Sequence, residues 1–127
     1  MAKKILIIED ETLITKSLQR LLIKEGYDVS IANSGAEALE RIKEKDYDLI
    51  VSDIRMPLMD GIEVIREIRV YLAQNNKPAV PEILITGYAD EEKYKEALEL
   101  KVSGYIYKPF DTHDFLSAIK ENLNVKK

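Results

Sequence analysis

The sequence has no cysteine and only one histidine, His113. Without thiols the chain can form neither a disulfide scaffold nor a cysteine-rich zinc module, and it has no nucleophile for a Cys–His hydrolase. Metal-binding histidines seldom act alone, so we assign His113 no role. The absence of cysteine suits a reducing compartment, and we expect a cytoplasmic protein.

Long apolar runs are also missing. The first apolar stretch covers residues 5–8 and runs directly into the acidic Glu9, which makes it far too short for the core of a signal peptide. A membrane span needs roughly 18 consecutive apolar residues, and no run approaches that length. We therefore expect no association with a membrane.

An excess of positive charge is absent as well. The chain carries 19 Lys and Arg against 23 Asp and Glu, with a formal net charge of -4, and the two signs are interleaved. A protein that binds the phosphate backbone usually presents a basic stripe or patch. We therefore expect no direct binding to nucleic acid.

The residues that are present suffice for one soluble globular domain. The 127 residues are 46% hydrophobic and 33% charged. A chain of this length buries roughly two-thirds of the surface that its unfolded form exposes, so it needs no disulfide or structural metal. Two full domains would not fit, and we expect a single domain over residues 1–127.

Short apolar runs alternate five times with longer segments of helical periodicity. The runs predict strands at residues 4–8, 27–32, 49–52, 83–86 and 104–107. The segments between them predict helices at 13–25, 36–45 and 61–72, a fourth that begins near Asp90 and a fifth that begins near Asp111 or Thr112. Such alternation implies right-handed crossovers with helices on both sides of a parallel sheet. We predict an α/β fold, a doubly wound five-stranded parallel sheet.

Two local signals refine this prediction. Ser34 and Glu37 have the spacing of a capping box, in which each side chain binds a backbone N–H near the other, and they mark the start of the second helix. The link at residues 73–81 is longer than most connections between a helix and a strand.

Chemically distinctive residues follow four of the five predicted strands. Glu9 and Asp10 follow the first strand, Asp53 follows the third, Thr86 ends the fourth and Lys108 follows the fifth. In an open parallel sheet, ligands bind beyond the carboxyl ends of the strands. If these ends form one rim, carboxylates, an ammonium group and a hydroxyl converge there.

Carboxylates at such a rim would repel one another unless a cation lay between them. Oxygen ligands without His or Cys favour Mg2+, which takes phosphate oxygens as further ligands. The ammonium group of Lys108 and the hydroxyl of Thr86 suit a phosphoryl group held beside that metal. Asp53 could then act as a nucleophile and form an acyl phosphate.

Each of these residues, taken singly, also has an ordinary structural explanation. Asp10 could cap the helix that follows it, the Thr86 hydroxyl could bind the backbone, and Lys108 could be a solvated surface lysine. Complementary charge at three separate strand ends is harder to explain in this way, so we favour the functional interpretation.

The same residues resemble a known family, the receiver domain of two-component response regulators. The resemblance rests on Glu9-Asp10, on DIRMP at 53–57 with Asp60-Gly61 after it, on Thr86-Gly87 and on YIYKPF at 105–110. It covers essentially the whole chain. It implies a flavodoxin-like (βα)5 fold with strand order 2-1-3-4-5, an order that the alternation alone leaves open.

The resemblance also implies a function for the acidic residues. Asp53 would accept a phosphoryl group from a phosphohistidine on a histidine kinase or phosphotransfer protein. Glu9, Asp10 and Asp53, with the backbone carbonyl of Arg55, would hold Mg2+. The domain would be no enzyme in the ordinary sense, because it would catalyse only its own phosphorylation and slow dephosphorylation.

A switch is the remaining implication of the resemblance. Thr86 and Lys108 would bind the phosphoryl oxygens, and Tyr105 would rotate inward as Thr86 moves toward the phosphate. The fourth helix, fifth strand and fifth helix would then present an altered face to an effector or dimer partner. Arg55 and Tyr88, two residues after Asp53 and Thr86 respectively, would tune phosphoryl lifetime. Both are large, so we hypothesise a long-lived phosphoaspartate.

Three other functions compete with this one. A flavodoxin-like electron carrier needs a first loop that cradles a phosphate, which the acidic residues 9–11 would repel. A phosphatase with an Asp nucleophile needs a second carboxylate two residues later for acid–base catalysis, and that position is Arg55. A receiver-like binding module that acts without phosphorylation is the principal alternative. Because the chain ends about where the fifth helix ends, we expect either a stand-alone receiver or a fragment.

Overall fold

Ten elements alternate along the chain. The structure is a computed structural model that describes residues 2–87 and 91–123, with the backbone alone for 91 and 92. The elements are β1 (Lys4–Ile8), α1 (Thr12–Lys24), β2 (Asp28–Ala32), α2 (Gly35–Glu44), β3 (Leu49–Asp53), α3 (Gly61–Gln74), β4 (Glu82–Thr86), α4 (Glu91–Leu100), β5 (Gly104–Tyr107) and α5 (Thr112–Leu123).

The five strands form one parallel sheet in the order β2-β1-β3-β4-β5. This confirms the predicted fold class and the order 2-1-3-4-5 that the resemblance implied. The register pairs Ile8 with Ser52, and Thr86 with Tyr107. Because every pairing is parallel and nearly flush, the carboxyl ends of the strands meet along one edge.

The sheet separates two hydrophobic cores. Along β1, Ile5 and Ile7 belong to the core that α1 and α5 cover, whereas Leu6 and Ile8 belong to the core that α2, α3 and α4 cover. Successive side chains of a strand point to opposite faces, so a strand covered on both sides must be apolar at every position. Each such side chain contributes roughly 1.5–3 kcal/mol when it is buried. The cores hold the strand ends in fixed relative positions.

Local signals mark the helix starts. Ser34 Oγ accepts a hydrogen bond from the backbone N–H of Glu37 at 3.1 Å, as the capping-box spacing predicts. Asp60 does the same for α3, where its Oδ1 accepts from the N–H of Glu63 at 3.0 Å. The cap position of α1 is Glu11, and no described side chain caps that helix. Asp10 is therefore not the helix cap.

Small differences from the predicted boundaries occur at element ends. Helix α3 continues to Gln74, because Ala and Gln favour the helix, and it ends where Asn76 adopts a left-handed φ of 54°. The connection before β4 is thus shorter than predicted. The predicted start of the fourth helix near Asp90 lies outside the described residues. Among residues 2–87 and 91–123, no helix is long and apolar enough to cross a bilayer.

Candidate functional site

The predicted site residues meet at the carboxyl edge of the sheet. Glu9 and Asp10 lie just beyond β1, Asp53 is the last residue of β3, and Lys108 follows β5. One carboxylate oxygen from each of Glu9, Asp10 and Asp53 lies within 4.8 Å of the other two. Glu9 is 1% exposed and Asp53 is 4% exposed, whereas Asp10 faces solvent. The tertiary structure therefore brings together three acidic groups, two of them buried.

Glu9 is the most perturbed of these acids. Its Oε2 accepts the backbone N–H of Asp10 at 2.9 Å, but its buried Oε1 accepts no hydrogen bond from any described residue. Burial, the negative charge of Asp53 and hydrogen bonds of the protonated group with Asp53 and Asp10 raise the pKa of Glu9 to about 8, although nearby Lys108 lowers it. Without a metal, Glu9 therefore holds a proton at neutral pH.

Lys108 is the cation of the site. Its Nζ lies 2.8 Å from Oδ2 of Asp53. Burial by itself lowers the pKa of Lys108, but the hydrogen bond and the attraction to Asp53 outweigh it and the pKa is raised. Lys108 is therefore a charged partner of the buried carboxylate, and its interpretation as a solvated surface lysine is wrong.

The backbone around Asp53 is fixed by close approach of the loop that follows it. The N–H of Arg55 donates to Oδ1 of Asp53 at 3.2 Å, and the side chain of Arg55 is exposed. The N–H of Gly61 donates to the carbonyl of Ile54 at 2.9 Å. A Cβ at Gly61 would collide with the carbonyl oxygen of Asp53, so only glycine lets α3 begin this close to the strand end. The sequence showed this glycine after Asp60 but gave no reason for it.

Thr86 is the last residue of β4 and Tyr105 lies within β5, and each side chain has a described hydrogen-bond partner other than Asp53. Thr86 is buried, and its hydroxyl lies 3.4 Å from the carbonyl oxygen of Gly87. Tyr105 is partly buried against the core under α4, and its hydroxyl donates to the carbonyl of Ala97 at 2.8 Å. The phosphoryl-binding role of Thr86 and the rotation of Tyr105 stay predictions. Tyr88 lies outside the described residues.

The donor set at the rim fits a small hard cation. Carboxylate oxygens are ligands that Mg2+ prefers, and nitrogen or sulphur ligands are absent from the described cluster. The buried Oε1 of Glu9 has an unused acceptor site that a cation would satisfy. Asp10 is exposed, so the acidic cluster is open to solvent on the side of Asp10. Mg2+ usually keeps some of its waters, so an open side suits it.

An apolar groove lies beside the acidic cluster. Its volume is about 770 Å³, and it extends from Glu9 and Lys108 between α1 and the loop after β5. Its apolar lining includes Leu13, Ile14 and Phe110, and Leu13 is 83% exposed. The groove therefore joins a charged end at the rim to an apolar surface on α1.

The comparisons with known proteins agree with this geometry. The family described as response regulator receiver domain matches residues 5–120. The transcriptional regulatory protein ZraR of Escherichia coli (strain K12) is 36% identical over 119 residues, which is 94% of this chain and 26% of the relative. The chain thus spans about a quarter of the length of that relative.

Solved structures of receiver domains are similar over nearly the whole chain. A CheY-like receiver domain protein from Methanospirillum hungatei has a TM-score of 0.85 and 35% identity, and the match covers 98% of this chain and 95% of that one. The receiver domain of a sensor histidine kinase from Pseudomonas aeruginosa has a TM-score of 0.84 and 28% identity, with 98% and 100% covered. That structure has a magnesium ion coordinated in its active-site cleft.

Proposed function

Because the chain belongs to the receiver domains of response regulators in two-component signalling, we propose that Asp53 accepts a phosphoryl group from a phosphohistidine. The donor is a histidine kinase or a histidine phosphotransfer protein. The phosphorylated domain then switches the face formed by α4, β5 and α5.

The observation that carries this proposal is the contact between Lys108 and Asp53. A buried carboxylate with one ammonium 2.8 Å away, and with two further acids beside it, is arranged for a cation on its acidic side and for a phosphoryl group held between that cation and the ammonium. A purely structural ion pair would not need Glu9 at the same place, since Glu9 raises the electrostatic energy of the site.

The proposed transfer is a displacement at phosphorus. A carboxylate oxygen of Asp53 forms the new P–O bond as the P–N bond to the donor imidazole breaks. The imidazole nitrogen keeps the electron pair of the broken bond and takes up a proton. Lys108 supplies a fixed positive charge for the phosphoryl oxygens during this step, and the Thr86 hydroxyl donates to one of them.

A bound Mg2+ would neutralise charge shared between the carboxylates and the phosphoryl oxygens. Glu9, Asp10 and Asp53, with the backbone carbonyl of Arg55, would hold it. Glu9 must lose its proton to serve as a ligand, so occupation of the site and ionisation of Glu9 are linked.

The domain acts on itself and turns over no separate substrate. Arg55 stands where an aspartate phosphatase of another class would carry its acid–base carboxylate. Its activity is thus confined to acceptance of the phosphoryl group and slow hydrolysis of the phosphoaspartate.

The two proposed partners use different surfaces. A phosphohistidine must approach Asp53 from the rim, where the apolar groove and the exposed Leu13 offer a surface for the donor protein. The output surface is the α4–β5–α5 face, on which Leu98 is 46% exposed and Tyr107 is 47% exposed. Exposed apolar and aromatic side chains of this kind suit an effector or a dimer partner.

Intact mass spectrometry tests the proposal. The protein is incubated with acetyl phosphate and Mg2+, and wild type is compared with Asp53→Ala. We expect one phosphoryl adduct on wild type that is absent from Asp53→Ala and from wild type in chelator. Asp48→Ala, which changes an exposed aspartate far from the rim, is the matched control and should be phosphorylated like wild type.

An adduct that persists in Asp53→Ala would place the phosphoryl group on another residue and overturn the proposal. If wild type forms no adduct although Mg2+ raises its melting temperature, either the receiver needs a protein donor or it is a binding module that acts without phosphorylation. Incubation with a phosphorylated histidine kinase separates these two, and failure of that transfer as well would favour the binding module.

A further inference from the structure

An ion pair joins the first turns of α4 to the loop that follows the acceptor. Nζ of Lys93 lies 2.5 Å from Oδ2 of Asp60, and a second carboxylate, that of Glu96 in the same helix, lies 3.4 Å from Nζ. The side chain of Asp60 is 14% exposed and that of Lys93 is 35% exposed. The pair is therefore partly shielded from solvent, and such pairs are screened less by salt than fully exposed ones.

Asp60 performs two separate tasks with its two oxygens. Oδ1 caps α3 through the N–H of Glu63, while Oδ2 binds Lys93. Burial by itself would raise the pKa of Asp60, but the hydrogen bonds from Lys93 and the Glu63 N–H outweigh it and the pKa is lowered. The loop that carries Asp53 and the start of α4 thus share one charged residue.

The other end of α4 is attached to the core instead. Arg69 donates to the carbonyl of Leu100 at 2.8 Å and binds both oxygens of the buried Glu82 at 3.0 and 2.6 Å. Tyr105 donates to the carbonyl of Ala97 at 2.8 Å. These contacts anchor the second half of the helix to α3, β4 and β5.

In the first half, Tyr94 packs against Tyr105 and Tyr107 of β5, and its hydroxyl lies 3.0 Å from that of Tyr107. The Lys93–Asp60 pair is therefore the described ion pair that ties the first half of the helix to the acceptor loop.

The proposed chemistry requires movement of Thr86, at the end of β4. The Thr86 hydroxyl faces the carbonyl of Gly87, so it must leave this position before it can donate to a phosphoryl oxygen on Asp53. Only residues 88–90 separate Gly87 from α4. A shift at the end of β4 therefore has only a short stretch of chain to cross before the first turns of α4, where Lys93 lies.

We propose that the Lys93–Asp60 ion pair is a tether that holds the start of α4 against the acceptor loop in the unphosphorylated protein and is released when the phosphoryl group binds. The proposal rests on the proposed function of Asp53. A contact that exists in only one of two states stabilises that state by the free energy of the contact, and so increases its population. The tether therefore weakens the response of the domain to phosphorylation, and Lys93 and Asp60 are positioning residues.

Binding of beryllium fluoride, a stable mimic of the phosphoryl group, tests this tether. The dissociation constant is measured by titration calorimetry in excess Mg2+ for wild type, Lys93→Met and Asp60→Asn. Asparagine caps helices as well as aspartate does, so Asp60→Asn removes the charge and keeps the cap. We expect each variant to bind beryllium fluoride about 3–10-fold more tightly, because the free state loses a contact that the bound state does not make.

Matched controls separate the tether from general effects of charge and capping. Lys95→Met removes a nearby exposed lysine of α4, and Asp111→Asn alters the residue whose Oδ1 accepts the N–H of Asp114 at the start of α5. Both should bind like wild type. Lys93→Arg should restore the wild-type constant, and the Lys93→Met, Asp60→Asn double variant should gain no more than either single variant.

The outcomes distinguish this inference from the proposed function. If wild type fails to bind beryllium fluoride in Mg2+, the proposed function is wrong and the tether with it. If wild type binds beryllium fluoride and Asp53→Asn does not, the proposed function stands. If, in addition, Lys93→Met and Asp60→Asn bind beryllium fluoride no more tightly than wild type, the tether is wrong.

Discussion

Lys108 and Asp53 are 55 positions apart in sequence, yet Nζ of Lys108 lies 2.8 Å from Oδ2 of Asp53. The contact joins the loop after an edge strand to the end of the central strand. It neutralises Asp53 and leaves Glu9, which is equally buried, to be neutralised by a proton or by a metal. The state of the site without a metal therefore follows from these three side chains.

The stability of the metal-free protein should fall as pH rises. The pKa of Glu9 is about 8 in the folded protein against an ordinary value of 4.5, so folding favours the protonated form. This contribution is complete below about pH 4.5 and is lost as the pH rises through about 8, with a loss on the order of 3 kcal/mol. Urea unfolding in chelator at several pH values measures it. Glu9→Gln, which cannot titrate, is the control, and an equally steep profile in that variant would contradict the assignment to Glu9.

Mg2+ should raise the melting temperature, and Asp53→Asn should raise the stability of the metal-free form. The metal binds the folded site and stabilises by mass action. The Asp53→Asn substitution removes the repulsion with the ionised form of Glu9, and we expect a gain of about 1 kcal/mol in chelator at a pH above the Glu9 pKa of about 8. Thermal unfolding of both proteins with chelator and with Mg2+ checks this. If Asp53→Asn is less stable than wild type in chelator, the attraction between Asp53 and Lys108 outweighs the repulsion between Asp53 and Glu9.

Lys108→Ala should have opposite effects on two properties of the site: Mg2+ binding should become tighter and phosphorylation slower. The ammonium group beside Oδ2 of Asp53 repels a dication, so its removal should tighten Mg2+ binding by about 2–5-fold. The same variant should be phosphorylated far more slowly by acetyl phosphate, because the phosphoryl oxygens lose their fixed positive charge. Calorimetry and mass spectrometry measure the two effects. Weaker binding of Mg2+ would show that Lys108 supports the carboxylates instead of competing with the metal.

Gly61→Ala should destabilise the fold, whereas Gly87→Ala should not. A Cβ at Gly61 meets the backbone carbonyl of Asp53, and a backbone atom cannot rotate away, so we expect a loss of about 2 kcal/mol or more. A Cβ at Gly87 meets no described atom within 4 Å. Denaturant unfolding of the two variants provides the comparison. If the two variants have equal free energies of unfolding, α3 can move away from β3 with little loss of stability.

Arg55→Asn, alone and together with Tyr88→Glu, should shorten the life of the phosphoaspartate. The backbone N–H of Arg55 binds Asp53, the Arg55 side chain is exposed, and the resemblance implies that this position and position 88 tune the lifetime of the phosphoryl group. We expect hydrolysis to quicken about tenfold in the double variant, equivalent to about 1.4 kcal/mol of the barrier. Loss of the phosphoryl adduct over time, followed by intact mass, gives the rate. An unchanged rate would refute the hypothesis of a long-lived phosphoaspartate.

Periodicity and caps are local properties, and they were readable from the sequence. The apolar runs predicted every strand to within a residue or two, and Ser34 with Glu37 predicted the start of α2. The positions of Glu9, Asp53 and Lys108 at strand ends predicted that they would share one edge, because the ends of parallel strands meet. The order of the strands came from the resemblance, since alternation is compatible with several orders.

Distances between side chains from remote segments were decided by the tertiary structure alone. The protonation of Glu9 depends on how deeply packing buries it beside Asp53, and the burial of a charged residue beyond a strand end has no signature in the local sequence. The pairing of Lys93 with Asp60 depends on where α4 docks, 33 residues later in the chain. Sequence patterns report which residues face a core, whereas the contacts at a rim depend on how whole elements pack against one another.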